Sequence, residues 1–120
     1  MSKFTATKNK GFQMKFENGF AISVQWGPGN YCEANGADFG AAMETDFWKS
    51  NSAEIAVFDK DGEFINIRGY ELENVDGTIE NHNDVVAGWL SADTVAKCIT
   101  LVQSATTEEE IETKIKALNL

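Results

Sequence analysis

Positive charge is scarce in this chain. Lys and Arg total 10 against 19 Asp and Glu, for a formal net charge of −9, and Arg68 is the sole arginine. Such a chain repels nucleic-acid backbones and anionic bilayers at long range, so neither nucleic acid nor a membrane is an expected partner. An acidic decoy that imitates DNA would want its carboxylates along one face. Here they are scattered, apart from Glu108, Glu109, Glu110 and Glu112, where a helix N-terminus favours them anyway. Histidine is scarcer still. His82 stands alone in the polar run Asn81, His82, Asn83 and Asp84, which reads as an exposed loop. A metal centre would have to join it to distant carboxylates, and no spacing specifies that. Cys32 has no adjacent base or cation to activate its thiol, and Cys98 falls on an apolar helix stripe. The chain therefore reads as non-enzymatic, with no cofactor and no metal. No apolar run approaches the roughly 18 residues needed to span a bilayer. The polar start, MSKFTATKNKG, does not read as a signal peptide, so reduced cysteines in a cytoplasm are expected.

What is present is a globular composition. The 120 residues suggest one domain, 1–120, and a hydrophobic content of 42% is enough for a core without disulfides or metal. Phe12, Met14 and Phe16 alternate on one strand and Phe20, Ile22, Val24 and Trp26 on the next. A two-residue turn at Asn18 and Gly19 would throw these sets onto opposite faces. A three-residue loop, 17–19, pairs Phe16 with Phe20, Met14 with Ile22 and Phe12 with Val24, with Gly19 in a left-handed conformation. The outward face, Gln13, Lys15, Ala21, Ser23 and Gln25, is weakly polar and suggests a homodimer contact. Residues 53–59 and 63–68 repeat the arrangement around a 60–62 loop closed by Gly62. They pair Phe58 with Phe64, Val57 with Ile65, Ile55 with Ile67, and Glu54 with Arg68.

Beyond Gly69 the chain turns polar, with Asp76 and Gly77 marking a turn in one further short strand pair. Ser91 then caps a helix whose buried stripe is Val95, Cys98, Ile99 and Val102, with Leu90 and Val95 as a hydrophobic staple. Thr107 starts a second helix, with Glu110 completing a capping box and Ile111, Ile115 and Leu118 on its apolar side. Strands first and helices last mean α+β: an antiparallel sheet of two hairpins, about four to six strands, then two C-terminal helices on one face.

Between the hairpins lies a long connection, residues 27–52. Gly27, Pro28 and Gly29 lack the spacing and lysine of a phosphate loop. Asp38 is placed to cap a short helix in which Phe39, Met43 and Phe47 recur at spacing four. Aromatic residues here either plug the sheet end or stack on a planar ligand. The candidate ligand-binding residues are Trp26, Asn30, Tyr31, Phe47, Trp48 and Arg68.

The stretches 11–32, 53–64 and 86–102, most distinctively VQWGPGNYC at residues 24–32, resemble a group of small tailed-bacteriophage proteins of no assigned activity. That resemblance implies expression in the cytoplasm of an infected bacterium. At the level of fold alone the chain is also similar to phage anti-defence sponges of the Thoeris anti-defence type. Those are oligomeric proteins that sequester cyclic nucleotide or cyclic ADP-ribose signals. The likeness implies an accessory protein that binds a host immune nucleotide through the 27–52 segment. The alternative is an acidic inhibitor that docks on a host defence protein or mimics DNA.

Overall fold

The computed structural model describes residues 3–8 and 10–120, the side chain of Met43 excepted. In chain order its elements are β1 (Phe4–Ala6), β2 (Gly11–Lys15), β3 (Ala21–Gln25), α1 (Phe39–Glu44), β4 (Ala53–Phe58), β5 (Arg68–Glu73), β6 (Ile79–Asp84), β7 (Val86–Leu90), α2 (Ala92–Ser104) and α3 (Glu108–Lys116). Among the described residues, five strands form an antiparallel sheet in the order β1-β2-β3-β4-β7, and β5 and β6 form a separate two-stranded ribbon. The fold is α+β, with α2 and α3 packed against the strands.

The first hairpin has the register that its side chains demand: Met14 faces Ile22 and Phe12 faces Val24. Its loop closes with Phe16 N donating to Phe20 O and Gly19 N to Phe16 O, each at 2.9 Å, with Gly19 at φ +91°. The same backbone pattern recurs from Asp59 to Glu63 and from Asn74 to Thr78. In all three an Asn or Asp oxygen accepts the amide that re-enters the strand: Asn18 from Phe20, Asp59 from Glu63, Asp76 from Thr78. Short polar side chains that bond their own backbone and a glycine that adopts positive φ are what this loop requires.

The second hairpin begins in the expected register and then departs from it. Phe58 bridges Phe64, and Ile65 N donates to Val57 O. From Ala56 backwards, however, β4 pairs with β7. A strand has two edges. β3 holds one, and β7 outcompetes residues 66–68 for the other. Glu54 therefore lies opposite Gln25, and Arg68 opposite Asp84 on the ribbon, so the expected Glu54–Arg68 pair does not form. Ile65 and Ile67 are still fully buried, so the alternation of that stretch survives the loss of its ladder. His82 is not in a loop. It lies on β6 opposite Tyr70 and stacks on that ring, centroids 5.4 Å apart.

One buried cluster joins the sheet to the helices. Ile22 faces Val57 and Val24 faces Ile55, and all four pack with Val95, Cys98, Val102, Ile111 and Ile115. Burial pushes the Cys98 thiol up to about 11, as befits a core residue. Ser91 Oγ accepts from Thr94 N, with Leu90 and Val95 buried on either side. Leu118, by contrast, is 36% exposed. The expected i+4 series from Phe39 ends early: α1 stops at Glu44, Phe47 lies beyond it, and the Met43 side chain falls outside the described residues. On the outward face of β3, Ala21 and Ser23 are already nearly buried beside cross-strand Lys15 and Gln13, so less open surface remains there than alternation implies.

Thr107 caps α3 by accepting from Glu110 N, but the Glu110 carboxylate reaches one residue further back than a capping box, to Thr106 N at 2.9 Å and its hydroxyl at 3.0 Å. A 2.7 Å bond from Lys114, followed by the two Thr106 donors, lowers the Glu110 carboxyl to about 2. A depressed folded pKa contributes stability above the ordinary carboxylate range, and that contribution is lost as pH falls through the folded value. Glu110→Gln should therefore flatten the acid limb of the unfolding midpoint between about 4.5 and about 2. Parallel acid limbs for parent and variant would refute this role.

Candidate functional site

The 27–52 segment crosses the end of the sheet as a bonded plug. Trp26 Nε1 donates to Trp48 O at 2.9 Å, and Trp48 Nε1 donates to Trp26 O at 3.0 Å. Asn30 Oδ1 accepts from Gly27 N at 2.8 Å, and its amide donates to Glu54. Gly36 N reaches Pro28 O, and the buried Cys32 thiol points to Gly27 O. Trp26, Asn30 and Trp48 are thus occupied in holding the segment together. Phe47 is 81% exposed and bonds only through its backbone, to Thr45.

Tyr31 lies elsewhere. Between paired positions, β7 carries one residue more than β4: Ala53 faces Leu90, whereas Ile55 faces Ala87. The extra residue is a β-bulge at Gly88 and Trp89, and bulges re-aim side chains. Trp89 has φ +51°, a left-handed conformation that a bulky side chain adopts only under strain. Its amide donates to Tyr31 O at 2.8 Å. Its exposed ring stacks on that of Tyr31, centroids 5.5 Å apart and planes 28° apart.

Arg68 closes the other side. Together Tyr31, Trp89, Gly88, Val86, Asp84, Arg68 and Leu120 line a cleft of about 320 Å³. Arg68 Nε donates to Leu120 O at 3.0 Å, and the guanidinium lies 5.0 Å from the Tyr70 ring centroid. Asp84, although opposite Arg68 in the ribbon, accepts from Val86 N instead. The Arg68 Nη groups have no ion-pair partner among the described residues. The cleft thus offers an aromatic platform, one cation oriented by its bond to Leu120 O and one carboxylate.

The structure therefore brings two expected residues, Tyr31 and Arg68, into one cleft, whose lining includes neither Trp26 nor Trp48. Trp89 and Tyr70 were not expected at the site. VAGWL reads as a lead-in to α2, and only the bulge shows that Trp89 faces the cleft. Among the described residues, no group of three or more His, Cys, Asp and Glu side chains is placed to hold a metal ion, and no helix is long and apolar enough to cross a membrane. Fold and cleft together define an α+β protein with a plugged sheet end and an aromatic, arginine-bearing cleft beside it. Comparison with protein-family models, curated proteins and solved structures finds no match.

Proposed function

We propose that this chain is a non-enzymatic binding protein whose ligand combines a flat ring with an anionic group, as cyclic nucleotides and cyclic ADP-ribose isomers do. The observation that carries this reading is Trp89. A strained backbone presents a large exposed ring against Tyr31, in a cleft that also holds the Arg68 guanidinium, oriented by its bond to Leu120 O. Aromatic stacking and a bidentate cation are the groups that recognise a base and its phosphate. The VQWGPGNYC resemblance supplies the setting, a phage accessory protein that sequesters a host immune nucleotide in the bacterial cytoplasm. The site is the rim of the 27–52 segment rather than its interior.

A thermal-shift panel of cyclic nucleotides and cyclic ADP-ribose isomers tests this. A true ligand at a hundredfold over its dissociation constant adds about 2.7 kcal/mol. Trp89→Gly separates function from structure. It relieves a left-handed cost of about 1–2 kcal/mol while losing a stack worth about 0.5–1.5 kcal/mol. Folding stability should hardly change, whereas affinity should drop about tenfold or more. No stabilisation by any compound, or undiminished binding by Trp89→Gly, would overturn the proposal.

A second reading has its own observation. The β5–β6 ribbon exposes Leu72, Val75 and Ile79 and carries Glu71, Glu73, Asp76 and Glu80 on the same two strands and turn. An acidic ribbon with an apolar tip suits docking on a basic face of a host defence protein. Stoichiometric capture of one partner, lost on Val75→Asp but kept on Trp89→Gly, would favour it over the nucleotide reading.

A further inference from the structure

We propose that a second site, separate from the cleft, takes a neutral, flat, apolar molecule of about two fused rings. It is a pocket of about 290 Å³ between the ends of β3 and β7 and the first turns of α2. Val24, Trp26, Leu90, Val95 and Ile99 form its walls, and Ser50, Asn51 and Ser52 stand at its mouth. It shares no lining residue with the Arg68 cleft.

Three features define the ligand. The first is hydration. Ser50 Oγ donates to Ser52 O, Ser52 Oγ accepts from Glu33 N, and the Asn51 amide donates to Glu33. The mouth groups are thus engaged with one another and with Glu33. Water needs two to four polar partners to be held, and a lining this apolar offers few, so an apolar ligand displaces poorly bound solvent. The second is charge. None of the lining residues is ionisable, in a chain of net charge −9, so an ionised ligand gains nothing inside. The third is shape. The Trp26 indole is held by its reciprocal bonds with Trp48 and by an edge contact with Phe12, centroids 6.2 Å apart. A wall so fixed is preorganised for a flat ring and adds little ordering cost on binding. For scale, an apolar cavity of about 150 Å³ accepts benzene.

Naphthalene titrated into the full chain with labelled methyl groups tests the assignment. Saturable shifts are expected at Val24, Leu90, Val95 and Ile99, with the Val86 and Leu120 methyls of the Arg68 cleft unmoved and naphthalene-2-sulfonate at least tenfold weaker. Ala96→Leu extends a side chain into the pocket from an exposed position of α2 and should weaken naphthalene at least tenfold with the remaining spectrum intact. Should that variant not fold, Ala92→Leu, another lining position of the same helix, takes its place with the same expectation. Absent shifts, equal binding by the blocked variant, or equal affinity for the sulfonate would each overturn the proposal. So would a dimer seen by light scattering that the blocking substitution abolishes while naphthalene fails to bind, which would assign the pocket to a second copy of the chain.

Discussion

Asn18→Asp is expected to lower the stability of the whole fold by about 2–3 kcal/mol, although it exchanges one loop residue for its near-isostere. The Asn18 amide nitrogen donates to Val102 O at 2.8 Å, Gln103 O at 3.1 Å and Ala105 O at 2.9 Å. These are carbonyls at the end of α2, where no further turn of helix follows and, among the described residues, only Val102 O has a second backbone donor, Ala105 N at 3.4 Å. The β2–β3 turn thus caps a helix more than 80 residues away in sequence. A carboxylate there loses both donor hydrogens and adds negative charge at the negative end of the helix dipole, which alone costs about 0.3–1 kcal/mol. Because its Oδ1 still accepts from Phe20 N, the hairpin turn survives and the loss isolates the cap. The introduced carboxyl would be held above the ordinary carboxylate range by the facing carbonyls. A raised folded pKa means the deficit is full at neutral pH and shrinks as pH falls and the group becomes a donor again. Urea melts at neutral and acidic pH check both statements. A midpoint unchanged at neutral pH, or a deficit that grows on acidification, would show that the cap contributes little.

Gly88→Ala should be the second large effect, and it should remove the candidate site with it. A Cβ at Gly88 would lie 2.5 Å from Tyr31 Cβ and 2.7 Å from Tyr31 O. Neither atom moves without its backbone. The substitution must push the 27–37 loop off β7 and break the Trp89 N–H bond to Tyr31 O. Overpacking of this kind costs about 1–3 kcal/mol. Gly62→Ala makes a useful contrast. There a Cβ would meet nothing within 4 Å, but φ is +82°, so the cost is conformational, about 1 kcal/mol, and leaves the cleft untouched. Melting curves for both variants, with cleft binding measured alongside, separate steric from conformational need for glycine. If Gly88→Ala keeps parental stability and the Tyr31 and Trp89 resonances stay in place, the close approach of loop and strand is not a constraint.

Much of the architecture is local and was therefore legible. The first hairpin's register follows from where large side chains alternate, because a slip of one residue would put Phe12, Met14 and Phe16 on the wrong face of the sheet. The Gly19 and Gly62 loops, the Ser91 and Thr107 caps and the stripe through Val95, Cys98 and Val102 are likewise decided within a few residues of chain. Strand pairing beyond adjacent segments is not local. Residues 63–68 have the alternation of a partner for β4, and nothing in them shows that β7 will take that edge. The candidate site depends on the same competition. Once β7 pairs with β4, its surplus residue bulges, Trp89 turns outward onto Tyr31, and Arg68 leaves Glu54 for the ribbon that borders the cleft. Side-chain periodicity is written residue by residue along the chain, so the sequence by itself determined the first hairpin's register, its glycine-closed loop and the buried stripe of α2, whereas β1 and the strand that carries His82 have no such pattern. Which edges meet depends on a free-energy comparison among distant segments, and only the assembled structure decided where Tyr31, Trp89 and Arg68 come together.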